Sequence, residues 1–286
     1  MRENDTLAFL DPSTARLPGV VPLDAADWIT APDGIADQLA YRDHLIETQR
    51  ADVLGHLADG VASAAELLDV LVSHLSMISG WCVAENEIVR PDGVGVQIDQ
   101  SDPLEVIGRL VSEDFCILQK RQDGQEYILV AAGLCFPAVW ALTDKIGLPL
   151  SAIHSPVPHY DLNVAKRVNR IFDGIRADQL LLRYNWSITP YSELHATPAR
   201  LACATPAPDG PFLRVERQTF RRLPQTGAVA FGIATTLNPI ASLPRADVAT
   251  LLRTFDAQSQ NVLDYKLAPD HQSNIRHQLA DLAGVN

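Results

Sequence analysis

The sequence predicts an α+β fold: a mainly antiparallel sheet of five strands, with helices segregated before and after it. Three observations carry this expectation. Apolar residues recur at helical spacing in the first third of the chain and again after Ala246; alternation with a period of two runs through 180–237; and Asp123-Gly124 separates two apolar runs as a hairpin turn would. With 286 residues, 47% hydrophobic and 20% charged, and no internal repeat or long linker, the chain is expected to form a single domain over 1–286. Its expected parts are an irregular arm over 1–34, a sheet core over about 112–240 and a helical extension over 245–286.

Each element has its own signal. Residues 8–34 mix proline, aspartate and small residues with the isolated anchors Leu17, Val21 and Trp28, which predicts an arm lying over the core. Helical spacing of Leu39, Leu45, Leu67, Leu68, Leu71 and Leu75 predicts helices over 35–57 and 63–78. Asp102 and Pro103 supply a cap and a first-turn proline for a short helix through Leu110. Phe115–Lys120 and Tyr127–Phe136 read as a hairpin. Pro137 opens an expected helix through Trp140 that stops at Gly147. The prolines at 149, 156 and 158 make 148–160 irregular, and Val164, Val168, Ile171, Phe172 and Ile175 mark an amphipathic helix. Strands follow at Leu180–Thr189, Phe212–Phe220 and Ala228–Leu237, and then the C-terminal helical region with Val248, Leu251, Leu252 and Phe255.

Charge and motif content exclude several function classes. The 35 acidic residues outnumber the 23 basic ones, so polyanions such as nucleic acid or an anionic membrane are repelled. Cys82, Cys116, Cys135 and Cys203 lie far apart, without zinc or disulfide spacing, and are expected to be reduced thiols in the cytoplasm. The N-terminus lacks the apolar core of a secretory signal, so the sequons at Asn4 and Asn185 carry no weight, and the apolar run Tyr127–Leu142 is too short to span a membrane. Gly93-Val94-Gly95 lacks the third glycine and the strand-helix setting of a dinucleotide site. There is no Walker sequence, no H-E-x-x-H and no G-x-S-x-G.

Positive charge concentrates in one strand. Residues 212–222 hold four arginines and a glutamate, in a chain of net charge -12. Alternation sets Leu213, Val215, Arg217 and Thr219 on one face and Arg214, Glu216 and Gln218 on the other, which reads as surface. Arg217 therefore points where apolar side chains point and needs an anionic partner: a protein carboxylate, a substrate or a cofactor carboxylate. The second feature is His154, followed by Pro156, Val157, Pro158 and His159. The prolines deny the two histidines a shared helical face, so a zinc pair is excluded. A single rigidly presented imidazole suits an axial heme ligand, but from spacing alone a cap or hydrogen bond within a turn is the commoner role.

Phe136-Pro137, Trp140, Lys145-Ile146-Gly147, Ile153-His154 with Pro156-Val157-Pro158, Arg183 with Asn185-Trp186, and the run from Leu213 to Thr219 through Arg221-Arg222-Leu223-Pro224 resemble the heme-dependent oxidative N-demethylase-like family over roughly 20–260. The resemblance implies a PAS-like subunit binding heme b that uses dioxygen to demethylate a small secondary amine such as dimethylamine, with release of formaldehyde. It implies electrons from flavin and iron-sulfur partner subunits, and a folate-binding partner for the formaldehyde. It also implies a histidine on the iron, placed at His154: His44, His56 and His74 lie in amphipathic helices outside the matched motifs, and His271 and His277 lie in the polar tail. His159 and His195 are the alternatives, and Cys135, as a thiolate, is the rival. Within the resemblance Arg217, Lys145 and Arg221 are the candidates for the heme propionates, Tyr184 and Trp186 for the cavity lining, and Glu216 with Arg217 for catalysis. A gas or redox sensor with the same heme, or an interaction subunit without heme, are the competing readings.

Overall fold

The computed structural model describes residues 19–121, 124–158 and 162–285. The chain begins with strand β1 (Val21–Leu23), then helices α1 (Ile35–Thr48) and α2 (Arg50–Val53), strand β2 (Leu54–His56) and helix α3 (Val61–Leu75). Strands β3 (Cys82–Val83), β4 (Glu87–Val89) and β5 (Gly95–Gln97) lead to α4 (Pro103–Leu110), and β6 (Asp114–Lys120) and β7 (Tyr127–Gly133) form the hairpin. Helices α5 (Leu150–Ile153) and α6 (Leu162–Gly174) precede β8 (Leu180–Thr189), and α7 (Pro198–Leu201) precedes β9 (Phe212–Arg222) and β10 (Val229–Pro239). The chain closes with α8 (Arg245–Asp256), α9 (Gln260–Lys266) and α10 (Pro269–Ala283).

The α+β class holds, with a larger sheet than expected. The five long strands form the centre of a seven-stranded antiparallel sheet in the order β1-β8-β9-β10-β6-β7-β2, and β3-β4-β5 form a small second sheet. The additions come from segments expected to be arm or helix. Val21–Leu23 pairs with β8, and Leu54–His56, inside the predicted helix 35–57, pairs with Gly133–Ala131 of β7. Three residues are too few for a period-two pattern to register, so backbone pairing overrode local helical spacing. The glycines at 93 and 95 serve the β4–β5 turn, where Gly93 takes a φ of 85°.

The expected helix from Pro137 does not form. Val139 sits at φ 61°, its N–H donates to Ala196 O at 2.7 Å, and Ala138 bridges to Ala196. That pairing keeps 137–141 out of a helix up to a short turn at Leu142–Asp144, so Gly147, at φ 83°, has no helix from Pro137 to stop. The cap at Asp102 forms as expected, accepting from Glu105 N at 3.4 Å with Pro103 in the first turn.

Both faces of the sheet are covered. Trp28, α3 and α4 pack one face around Phe115, Ile117, Leu180 and Ala230, and the C-terminal helices pack the far end of the same face around Ile188, Leu213 and Val215. The opposite face carries Leu142, Leu150, Phe172, Leu181 and Phe220. Burial on both faces is the physical reason that β9 has no solvent side: Arg214, Glu216 and Gln218, read from sequence as surface, are 3%, 9% and 6% exposed.

Buried polar groups tie these layers together. Arg42, fully buried, donates to Gly108 O, Ser112 O and Glu113 O and pairs with Asp114 at 2.6 Å. Asp114 in turn accepts from Cys135 N and Phe136 N at 2.7 and 2.8 Å. Glu66 holds the β9–β10 turn by accepting from Gln225 N, Thr226 N and the Thr226 hydroxyl.

Two stability measurements follow. Asp114→Ala leaves Arg42 charged and unpaired in the core, with an expected loss of about 3–5 kcal/mol in urea unfolding, whereas Arg176→Ala, in an exposed pair with Asp178, costs under about 1 kcal/mol. Burial, with help from Arg221, holds the His74 imidazole below its ordinary value of 6.5. The unfolded chain therefore takes up the proton first, and stability falls as pH drops below 6.5. His74→Phe is expected to flatten unfolding free energy against pH below 6.5; an unchanged slope counts against this origin.

Candidate functional site

The register of β8 and β9 sorts the candidate residues. Tyr184 lies opposite Arg217 and Trp186 opposite Val215, whereas Arg183 lies opposite Gln218 and Asn185 opposite Glu216. Directly opposed residues share a face, so Arg217, Arg221, Tyr184 and Trp186 lie on one side of the sheet and Arg183, Asn185, Arg214, Glu216 and Gln218 on the other.

Arg217 is buried and its guanidinium donates to the backbone carbonyls of Trp28, at 3.1 Å, and Asp27. The Arg217 charge acts on Glu113, itself buried and accepting from Thr30 N at 3.0 Å. Arg221 lies with its guanidinium carbon 4.4 Å from the centre of the Trp28 ring. Both arginines thus pin the 24–32 segment onto the sheet. Tyr184 and Trp186 pack against the core of the C-terminal helices, with Lys266 Nζ 4.9 Å from the Trp186 ring centre.

The other face gathers charge around an imidazole. His154 ends α5, and its Nδ1 lies 2.9 Å from Leu150 O. A carbonyl only accepts, so Nδ1 carries the hydrogen and the lone pair of the neutral ring resides on Nε2. Burial lowers the His154 pKa, and Arg183 and Lys145 lower it further despite the Leu150 hydrogen bond, so the ring is held neutral. Lys145 Nζ reaches Ile153 O at 3.0 Å. The structure thus brings His154 together with Lys145 and the Glu216 face and separates it from Arg217, Arg221, Tyr184 and Trp186.

Cations outnumber anions on that face. Burial depresses the pKa of Arg183, of Arg214 and of Lys266, and for each the Glu216 carboxylate opposes the shift. Glu216 Oε1 lies 3.5 Å from Arg214 Nε, and Oε2 accepts from Asn185 at 3.2 Å and Gln218 at 3.0 Å. Arg214 also donates to Phe136 O at 2.6 Å and Leu194 O at 3.2 Å. Of these three cations, Arg214 is buried and Arg183 half-buried on the Glu216 face, while Lys266 Nζ donates to Trp186 O at 2.9 Å beside the Trp186 ring.

The rival ligands have other surroundings. Cys135 is fully buried, and burial pushes its thiol up to about 12, so it is no thiolate. His195 is buried with Nδ1 2.7 Å from Cys135 O, and it lines a cavity of 740 Å³ with Asp52, Asp144 and Glu193. His159 lies outside the described residues. No group of three or more histidine, cysteine or acidic side chains able to hold a metal ion occurs among the described residues, and none of their helices is long and apolar enough to cross a membrane.

The family model described as Haem-dependent oxidative N-demethylase, alpha subunit-like matches residues 19–276. The chain belongs to this family. A heme needs an axial donor and counter-charges for two propionate carboxylates, and the His154 face offers an anchored neutral imidazole with Lys145, Arg183 and Arg214 on the same side of the sheet. In this N-demethylase-like chain Arg183 and Arg214 are residues of that face that the sequence did not single out for a cofactor. Phe212 and Phe220 share the parity of Arg214, Glu216 and Gln218 in β9, a signal that this face is also buried.

Thiol chemistry tests the burial assigned to Cys135. In the native protein a disulfide reagent at about pH 8 is expected to titrate the exposed Cys82 and Cys203 rapidly, and the buried Cys116 and Cys135 only after denaturation. Rapid native labelling of Cys135, located by peptide mapping, would restore the thiolate rival.

Proposed function

We propose that the chain is the heme b subunit of an oxidative N-demethylase acting on a small secondary amine of the dimethylamine type, and that His154 is the axial ligand. The observation that supports this is His154, anchored on Leu150 O at 2.9 Å beside Arg183 and Lys145, with the buried Arg214 on the same side of the sheet. Arg183 and Arg214 would hold the propionates with their guanidinium forks, and Lys145 would add a point charge. The PAS-like reading applies to the five long central strands, whose His154 face is the one that carries these residues.

Heme bound there supplies dioxygen activation and takes electrons from outside the chain. The protein's own residues do the rest. His154 fixes the ligand direction through the Leu150 hydrogen bond, as anchored histidine ligands do. Glu216, oriented by Asn185 and Gln218, is the carboxylate placed to take the proton that a dialkylammonium must lose before oxidation. Arg217, proposed from sequence for the same pocket, instead anchors the 24–32 segment on the far face. The alpha subunit-like description of the family supports a multisubunit enzyme; flavin and iron-sulfur subunits are the electron donors we propose, and a folate-binding subunit the formaldehyde acceptor.

Purified protein supplied with heme is expected to show a strong Soret band that His154→Ala abolishes or shifts and His195→Ala leaves in place. Arg183→Leu is expected to weaken heme retention about tenfold or more through the loss of a buried charge partner. With an electron donor, dioxygen uptake should match formaldehyde release across a dialkylamine panel. A colourless protein, or a heme protein that turns over no amine, defeats the proposal.

A further inference from the structure

The His195 cavity lies outside the heme site proposed above and carries the opposite charge. Its 740 Å³ are lined by Asp52, Asp144 and Glu193 against a single cation, Arg200, with Thr143 and Thr197 beside them. None of the three carboxylates has an ion-pair partner among the described residues. At the cavity wall stands His195, only 3% exposed. Its Nδ1 is committed to Cys135 O at 2.7 Å, while Nε2 has no hydrogen-bond partner among the described residues. A buried ring that lines an acidic cavity, with its second nitrogen left without a protein partner, offers an acceptor to a ligand that donates N–H.

We propose that this cavity binds small alkylammonium ions and is the access vestibule for the amine substrate. The inference rests on the amine reading above, and it adds where the cation is captured. A dialkylammonium carries one positive charge and two N–H donors, which match a carboxylate and His195 Nε2. A cleft lined by one sign of charge concentrates the opposite ion and speeds its arrival. The vestibule adjoins the heme face through one layer of backbone: Cys135 O faces His195, whereas the next carbonyl, Phe136 O, takes Arg214, the partner of Glu216.

Binding is measured first without turnover. Dimethylammonium chloride titrated into the purified protein, followed by calorimetry, is expected to bind saturably, and Asp52→Asn/Glu193→Gln should weaken it about tenfold while the thermal melt stays unchanged. Tetramethylammonium, which has no N–H, is expected to bind more weakly than dimethylammonium, and the difference should vanish in His195→Ala. If His195→Ala unfolds, His195→Asn serves, because it keeps a donor for Cys135 O. In the heme-loaded enzyme the double variant should raise KM for the amine with kcat unchanged, and kcat/KM should lose its fall with ionic strength. Equal dimethylammonium affinity in wild type and double variant, or no saturable binding, overturns the vestibule. Saturable, carboxylate-dependent binding without formaldehyde release would keep the vestibule as an ammonium site and defeat the demethylase reading alone.

Discussion

The buried Arg42–Asp114 pair is the interaction on which the other parts depend. Arg42 comes from α1, the carbonyls it holds come from α4 and the approach to β6, and Asp114 opens β6 and grips the backbone N–H groups of residues 135 and 136. Those same two residues present their carbonyls outward, one to His195 and one to Arg214. A chain of hydrogen bonds, completed by the Arg214–Glu216 ion pair, thus runs from the helical layer through the segment after β7 to Glu216, and then to Asn185 and Gln218. Each link is buried or half-buried, so a missing partner leaves a polar group stranded rather than solvated, and the network persists as a unit.

From that fixed edge the sheet divides the chemistry by face. On one side, Arg217 and Arg221 spend their charge on backbone carbonyls and an aromatic ring, which fastens the 24–32 segment over the sheet. On the other, Arg183 and Arg214 face a single carboxylate. Successive residues of one strand, Glu216 and Arg217, therefore serve different layers. The alternation that makes β9 a good central strand also prevents its two most conspicuous charged neighbours from sharing a pocket.

This division explains what the sequence revealed and what it concealed. The long strands and the Asp102 cap rest on local patterns and were legible in order. Val21–Leu23 and Leu54–His56 are held by pairing with distant strands, and neither three-residue segment has a pattern of its own. Val139 was read as helical because Pro137 precedes it, yet a long-range hydrogen bond to Ala196 decides its conformation. For the candidate site, His154 drew attention because its flanking prolines restrict the backbone. Its surroundings were not legible: Arg183 and Arg214 come from different strands, and only the covering of both sheet faces makes Arg214 a buried residue rather than a surface one.

Charge, more than geometry, separates the two anchored histidines. His154 and His195 present the same arrangement, Nδ1 on a backbone carbonyl at 2.9 and 2.7 Å, and either ring alone would pass as a metal ligand. Their surroundings differ in sign: Arg183 and Lys145 act on the first, whereas Asp52, Asp144 and Glu193 share a cavity with the second. Two like charges 8 Å apart at an effective dielectric constant of about 20 repel by about 2 kcal/mol, so a dicarboxylate beside three acidic side chains accumulates a penalty of several kcal/mol. An alkylammonium gains where the dicarboxylate loses. On the proposed reading, an anionic cofactor and an incoming cationic substrate would therefore be met on opposite sides of residues 135–136, whose carbonyls take His195 on one side and Arg214 on the other.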